Sequence, residues 1–133
     1  MIKKPYLCSL NFHIMTTLII GASTNTERYS NKAAHHLAAR NYEFVLLGLQ
    51  KGEVLGHAIL NGFPELDGID TVTLYLNPQR QAEYYDYILR LKPRRIIFNP
   101  GTENAELVAI AEAEGIICIY ACTLVLLATG NYA

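Results

Sequence analysis

Most residues of this chain that could do chemistry fall in a few short stretches, each just after an apolar run. The first is "GASTNTERYSN", residues 21–31. Gly21 allows a sharp turn from strand to helix, where backbone amides and the positive end of a helix dipole would face an anion. Ser23, Thr24, Asn25, Ser30 and Asn31 add hydroxyl and amide groups, and Arg28 offers a planar fork that matches phosphate. A dinucleotide fingerprint would place two more glycines here, but positions 23 and 26 hold Ser23 and Thr26. The plainer alternative is a helix cap on a polar surface loop.

The second stretch, "LLGLQKGE", separates cofactors. A site for NAD wants an acidic residue there to hold the ribose hydroxyls, whereas this chain has Gln50 and Lys51. A lysine suits a phosphorylated ribose, as in NADP or coenzyme A; a solvated lysine in a turn is the alternative. In the third, "FNPGTENAEL", Asn99, Pro100 and Gly101 form a rigid turn that lets backbone approach a ligand, and Thr102 opens the next helix. Glu103 and Glu106 fall in its first turn, where the dipole alone favours acids. Asn77 and Pro78 follow another strand end.

Groups for catalysis are sparse. His35 and His36 are adjacent on a helix and point apart, His57 falls in an irregular segment, and Ser23 lacks the G-x-S-x-G elbow of an esterase. Cys122, near a strand end, is a candidate nucleophile or redox thiol, with packing as the alternative.

These residues need a scaffold that gathers strand ends. Runs at 16–21, 43–49, 71–76, 94–99 and 116–121 are almost continuously apolar, as strands buried on both faces are. Helical patterns intervene: residues 30–40 with Asn41 as a left-handed close, a helix from Pro78 capped by Asn77 with Ala82, Tyr85, Ile88 and Leu89 inward and a stop before Pro93, a helix opened by Thr102 and closed by Gly115, and a short one over 122–129. Residues 50–70, with four glycines and a proline, read as a loop. The expectation is a three-layer α/β fold, Rossmann-like, with a five-stranded parallel sheet of order 3-2-1-4-5 and helices on both faces. Ligands in such sheets bind at the carboxyl ends of the strands, beside the switch in strand order.

Bulk properties set outer limits. The 133 residues suit one domain over 15–133, preceded by an N-terminal extension over 1–14, with Met15 a candidate native start. A formal net charge of -1 without charge blocks argues against nucleic acid. No apolar run approaches the ~20 residues of a membrane span. The odd count of Cys8, Cys118 and Cys122, without zinc-ligand spacing, suggests a reducing, cytoplasmic setting. The tyrosine-rich "EYYDYILRL" exceeds one packed face, which marks Tyr84 and Tyr87 as candidate homodimer contacts.

Taken in order, "IIGASTNTERYSNKAAHHL", "KGEVLG", "FNPGTENAEL" and "ACTLVLL" resemble the small stand-alone CoA-binding proteins of Rossmann-like fold, a family similar to the CoA-binding domain of the succinyl-CoA synthetase α subunit. The resemblance spans about residues 16–130. It implies a site at Gly21, Ala22, Ser23, Arg28, Tyr29, Ser30, Asn31 and Lys32, at Pro100, Gly101, Glu103 and Asn104, and at Cys122. Many members carry Val-Asn-Pro-Lys after the second strand; here Gly48, Leu49, Gln50 and Lys51 stand there, so the lysine is kept and the Asn-Pro turn is not. The synthetase's phosphohistidine lies on a separate domain that nothing here supplies. The resemblance therefore implies a module that binds coenzyme A, or a related adenine nucleotide, without chemistry of its own. An NADP-dependent oxidoreductase, or an acyl-CoA-handling enzyme working through Cys122, is the alternative.

Overall fold

Strands that are apolar at every position need cover on both faces, and the computed structural model, which describes residues 15–133, provides it. In chain order the elements are β1 (Thr16–Ile20), α1 (Tyr29–Ala39), β2 (Phe44–Leu47), β3 (Glu53–Val54), β4 (His57–Leu60), β5 (Ile69–Leu74), α2 (Pro78–Gln81), a 3-10 turn (Ala82–Tyr84), α3 (Tyr85–Leu91), β6 (Arg95–Phe98), α4 (Ala105–Ala113), β7 (Ile117–Tyr120) and α5 (Thr123–Ala128). The N-terminal extension and the choice between Met1 and Met15 as start fall on residues 1–14, outside the described residues.

All strands among the described residues join one sheet of order β3-β4-β2-β1-β5-β6-β7, parallel except for β3 against β4. The α/β, Rossmann-like layering is as expected, but the five-stranded order 3-2-1-4-5 is not. Residues 57–60 take the place beside β2, so the strand at 69–74 pairs with the other side of β1, and the switch lies between β1 and β5. The turn between the two additional strands lacks the residues that usually signal a hairpin. Leu55 and Gly56 both have positive φ, 53° and 79°, as a two-residue hairpin loop requires, although such loops usually carry Asn-Gly.

No helix covers the crossing from β4 to β5; residues 61–68 run over the sheet as a strap. Tyr87 Oη donates to the Pro64 carbonyl at 2.7 Å, and the Phe63 ring lies 5.5 Å from both Tyr84 and Tyr87. These two tyrosines are 4% and 3% exposed, so they pack inside the chain rather than forming the expected homodimer contact. The 3-10 turn explains the shift. Its tighter winding re-phases the helix, leaving Ala82 exposed and Tyr85 half-buried while Tyr84, Tyr87 and Ile88 face inward.

Alternation along β1 feeds two cores. Leu18 and Ile20 pack with Val72, Ile96, Phe98, Ile88 and Leu107 under α3 and α4, while Ile19 packs with Leu46, Ile97, Ala33, Leu37 and Leu127 under α1 and α5. Helix ends follow the side chains available. Asn41 adopts φ 62° after α1, and Lys92 adopts φ 51° at the end of α3, before Pro93. Asn77 caps α2 by accepting from Arg80 N at 2.9 Å. α4 is capped by Asn104, whose Oδ1 accepts from Glu106 N and Leu107 N at 3.1 and 3.2 Å, and not by Thr102.

The amino ends of β5 and β6 carry a polar clamp. Arg94 donates to Asp70 through two nitrogens at 2.9 and 3.1 Å, and Thr71 Oγ1 donates to Asp70 Oδ2 at 2.7 Å. The same Thr71 oxygen accepts from Arg95 Nε at 2.8 Å. Arg95 is only 6% exposed; it also donates to the Tyr132 carbonyl and lies 4.4 Å from the centre of that ring. Tyr132 in turn bonds the Thr17 hydroxyl and meets Tyr42 edge-on at 5.0 Å.

Tyr132→Ala removes a buried ring and uncovers a guanidinium, so it should cost roughly 3 to 5 kcal/mol, as large aromatic truncations do, read as a fall in denaturant midpoint. Burial raises the Asp70 carboxyl, but hydrogen bonds from Arg94 and Thr71 and the nearby guanidinium charges outweigh it and hold the group below its ordinary range. Its contribution is present above the usual carboxylate pKa and lost as pH falls through the lowered one. Asp70→Asn should therefore destabilise at neutral pH by up to about 1 kcal/mol, a value limited by the exposure of Arg94. The two proteins should converge in acid, and a gap that widens there would contradict this account.

Candidate functional site

At the carboxyl end of β1, the chain turns where there is no space for a side chain. Gly21 has φ +98°, and a Cβ there would lie 3.0 Å from the Tyr75 backbone. Gly21 N and Ala22 N both donate to the Leu47 carbonyl, at 2.9 and 3.0 Å, which draws the loop over β2. Gly48 closes the other side, since a Cβ on it would lie 2.6 Å from the Ala22 carbonyl oxygen.

The loop to α1 is held by its own side chains. Ser23 Oγ accepts from Asn25 N at 3.0 Å, Asn25 Oδ1 accepts from Glu27 N at 2.9 Å, and Asn31 Nδ2 donates to the Ser23 carbonyl at 2.9 Å. Among the described residues no side chain caps α1, whose N-cap is Arg28, and its first turn carries no acidic residue. The positive end of the helix is thus left for something else to meet.

A crevice of about 590 Å³ opens over this turn. Eleven of the expected residues line it: Gly21, Ala22, Ser23, Arg28, Tyr29 and Ser30 from the first loop, Gln50 from the second, Asn77 from the third, and Pro100, Gly101 and Thr102 from the fourth. The other expected residues lie outside its lining. Thr24 is exposed, with its methyl packed where a Gly52 side chain would sit. Asn31 is buried below the loop, and Lys32 is exposed with its ammonium 5.5 Å from the centre of the Tyr29 ring. Lys51 is exposed one residue beyond Gln50, and Pro78 begins α2.

Asn99, Asn104 and Glu103 serve the scaffold. Asn99 Nδ2 donates to Thr73 Oγ1 and the Leu74 carbonyl at 2.7 and 2.9 Å, while its Oδ1 accepts from Thr123 N at 2.8 Å. Asn104 Nδ2 donates to Gln81 Oε1 at 2.9 Å and Tyr85 Oη at 2.8 Å. Glu103 Oε1 accepts from Gly101 N at 2.9 Å, so the amide of that turn is already engaged. Cys122 is half-buried at the N-cap of α5. The other described thiol, Cys118, is pushed up to about 11 by burial and the Glu112 charge.

The crevice also holds residues that sequence reasoning missed: Glu27, Gly48, Leu49, Tyr75, Leu76, Arg80, Glu83 and Tyr84. Arg80 was within reach, because the Asn77 cap that begins α2 puts it in the first turn after a strand end. Glu83 and Tyr84 depend on the 3-10 turn, which leaves no sequence mark. Tyr75 stands apart chemically. Its hydroxyl is buried with no hydrogen-bond partner among the described residues, while the neighbouring Thr73 and Thr123 hydroxyls bond each other at 2.8 Å. Burial pushes this phenol up to about 12 despite those nearby hydroxyls, so it stays neutral.

A family model described as "CoA binding domain" matches residues 15–128. No curated protein matches the chain. Among solved structures, the chain is similar to a crystal structure of an uncharacterized protein at 52% identity, over 89% of this chain and 98% of that one, with a TM-score of 0.87. A hypothetical protein from Pyrococcus horikoshii OT3 shares the fold at 24% identity, over 81% and 78% of the two chains, with a TM-score of 0.74. A protein from Thermus thermophilus does so at 16%, over 89% and 90%, with a TM-score of 0.78. Among the described residues, no helix is long and apolar enough to cross a membrane.

Two substitutions probe the crevice walls. Gly48→Ala sets a methyl against backbone, so it should cost about 1 to 3 kcal/mol in thermal or denaturant unfolding, the range of overpacking. Tyr75→Phe removes an unpaired buried hydroxyl, a group whose desolvation costs about 1 to 3 kcal/mol. The variant should melt no lower than wild type; a clear drop would show that the hydroxyl has a partner.

Proposed function

The chain belongs to the family of CoA binding domains, and from that premise we propose that it binds coenzyme A, or a closely related adenine nucleotide, in the crevice over β1 and β5. It would act as a binding or regulatory module of the cytoplasm with no chemistry of its own. The observation that carries this reading is the uncapped start of α1, with the Arg28 and Arg80 guanidinium groups lining the same crevice. Helix amides and two planar cations suit a pyrophosphate. The volume, about 590 Å³, falls in the ~300 to 1,000 Å³ range of small-molecule sites.

The pyrophosphate would lie over the first turn, near Ser23, Ser30 and Arg28, with Arg80 opposite. The ribose would reach the end of β2 at Leu49 and Gln50, where Lys51, exposed beside them, would meet a ribose phosphate. Cys122 lies outside the lining of the crevice, which supports binding over an acyl-transfer or redox role for that thiol.

Isothermal titration against CoA, acetyl-CoA, NAD, NADP and ATP tests the reading. CoA should bind, and binding of NADP without CoA at millimolar concentration would overturn it. Arg28→Ala and Arg80→Ala should each weaken CoA by roughly 1.5 to 3 kcal/mol, the worth of a charge-assisted hydrogen bond. Unchanged affinity in both variants would take the helix end out of the site.

A further inference from the structure

The two edges of the sheet are built differently. β3 is two residues long, begins with Glu53, lies two residues after Lys51 and is turned back in a hairpin. Short, charged edges of this kind resist pairing with other strands. β7, at the other edge, is Ile117–Tyr120, and no charged side chain occurs from residue 115 to 133. Around it lie three of the most exposed large apolar residues of the described chain: Ile117 at 52%, Tyr120 at 55% and Val125 at 57%.

The backbone of this edge is also ordered for pairing. β7 runs parallel to β6, with Ile117 N donating to the Arg94 carbonyl at 3.0 Å and Ala121 N to the Phe98 carbonyl at 3.1 Å. Peptide groups alternate in direction along a strand, so residues 117, 119 and 121 bond β6. Cys118 and Tyr120 point their N–H and C=O outward.

We propose that β7 is a homodimer interface, in which two copies pair antiparallel about a two-fold axis through Ile119. Cys118 of each copy would then exchange both backbone hydrogen bonds with Tyr120 of the other. Ile119 would face its own counterpart as a non-hydrogen-bonded pair, about 4.5 Å apart between Cα atoms. The charges favour a second copy as the partner. In an isologous contact a charge on the axis meets itself, so the residue at that position must be uncharged; Ile119 is, and the flanking Cys118 and Tyr120 bring no charge that would need an opposite one across the axis. A different partner strand would impose no such restriction, since it could answer a charge with the opposite one. Ile117, Tyr120 and Val125 would supply the apolar rim.

Sedimentation equilibrium of the full chain, with hydrogen exchange at the Cys118 and Tyr120 amides, decides the matter. The expected result is a concentration-dependent monomer–dimer equilibrium with both amides protected. Tyr120→Lys should abolish the dimer and expose the amides while the circular dichroism spectrum and melting temperature stay near wild type. A monomer at millimolar concentration with fast exchange at both amides would overturn the proposal. So would a dimer that persists in both Tyr120→Lys and Ile117→Lys, which places the contact elsewhere. A monomer whose two amides lose protection only when residues 1–14 are removed would also overturn it, assigning the edge to that segment instead.

Discussion

Three strand ends meet over the centre of the sheet with no room for a methyl group between them, and the rest of the crevice is arranged around that contact. Gly21 lies against the Tyr75 backbone, and Gly48 lies against the Ala22 carbonyl. With backbone on both sides of each contact, no side chain can yield. The loop after β1 is thereby pinned between β2 and β5, which fixes where α1 starts and where its positive end points. The substituted fingerprint in "GASTNTERYSN" becomes intelligible on this basis. One glycine is needed where the strand turns. The positions where further glycines would stand hold Ser23 and Thr26, and side-chain bonds within the loop, from Ser23, Asn25 and Asn31, hold its shape.

A division of labour among polar residues follows. Those below the crevice, Asn99, Thr73, Thr123, Gln81 and Asn104, are buried and bonded to one another or to backbone. Buried polar groups that are fully paired rigidify a structure, and these tie β5, β6, α2, α4 and α5 together just under the site. Those above it, Arg28, Arg80, Glu27 and Glu83, are exposed and line the opening. Sequence alone does not tell the two sets apart, because an asparagine after a strand can cap, brace or bind. Asn77, Asn99 and Asn104 show how they differ: Asn77 caps α2 and lines the crevice, Asn99 braces three elements, and Asn104 caps α4.

What was legible in the sequence was whatever depends on runs and caps. The central strands announced themselves through unbroken apolar residues, and helix ends through Asn41, Asn77, Pro93 and Gly115. Strand order was not legible, because it hinged on "GEVLGHAIL", where a Leu-Gly turn stands in place of the usual Asn-Gly signal and the strands are only two and four residues long. Misplacing β5 did not misplace the crevice, however. Ligand sites form where the strand order reverses, and the loop after β1 borders that reversal in either arrangement. The same robustness did not extend to the helix that follows β5. Its 3-10 turn alters which side chains face inward, so Tyr84 and Tyr87, outward by regular helical spacing, turn in and anchor the strap over residues 61–68.

The two ends of the sheet therefore answer different requirements. At the amino ends, Asp70, Thr71, Arg94, Arg95 and Tyr132 form a continuous bonded chain that leaves little polar surface unpaired. At the carboxyl ends, the start of α1 and the Tyr75 hydroxyl find no side-chain partner among the described residues, and two guanidinium groups line the opening beside them. A protein selected for stability alone gains nothing from an unbonded helix start, since a capping residue at that position is worth roughly 1 kcal/mol. Arg28 stands where Ser, Asp or Asn would cap, so that stabilisation is forgone at one helix while α2 and α4 both keep their asparagine caps. The missing cap thus falls at the helix end that faces the crevice, which is where a bound anion would take its place.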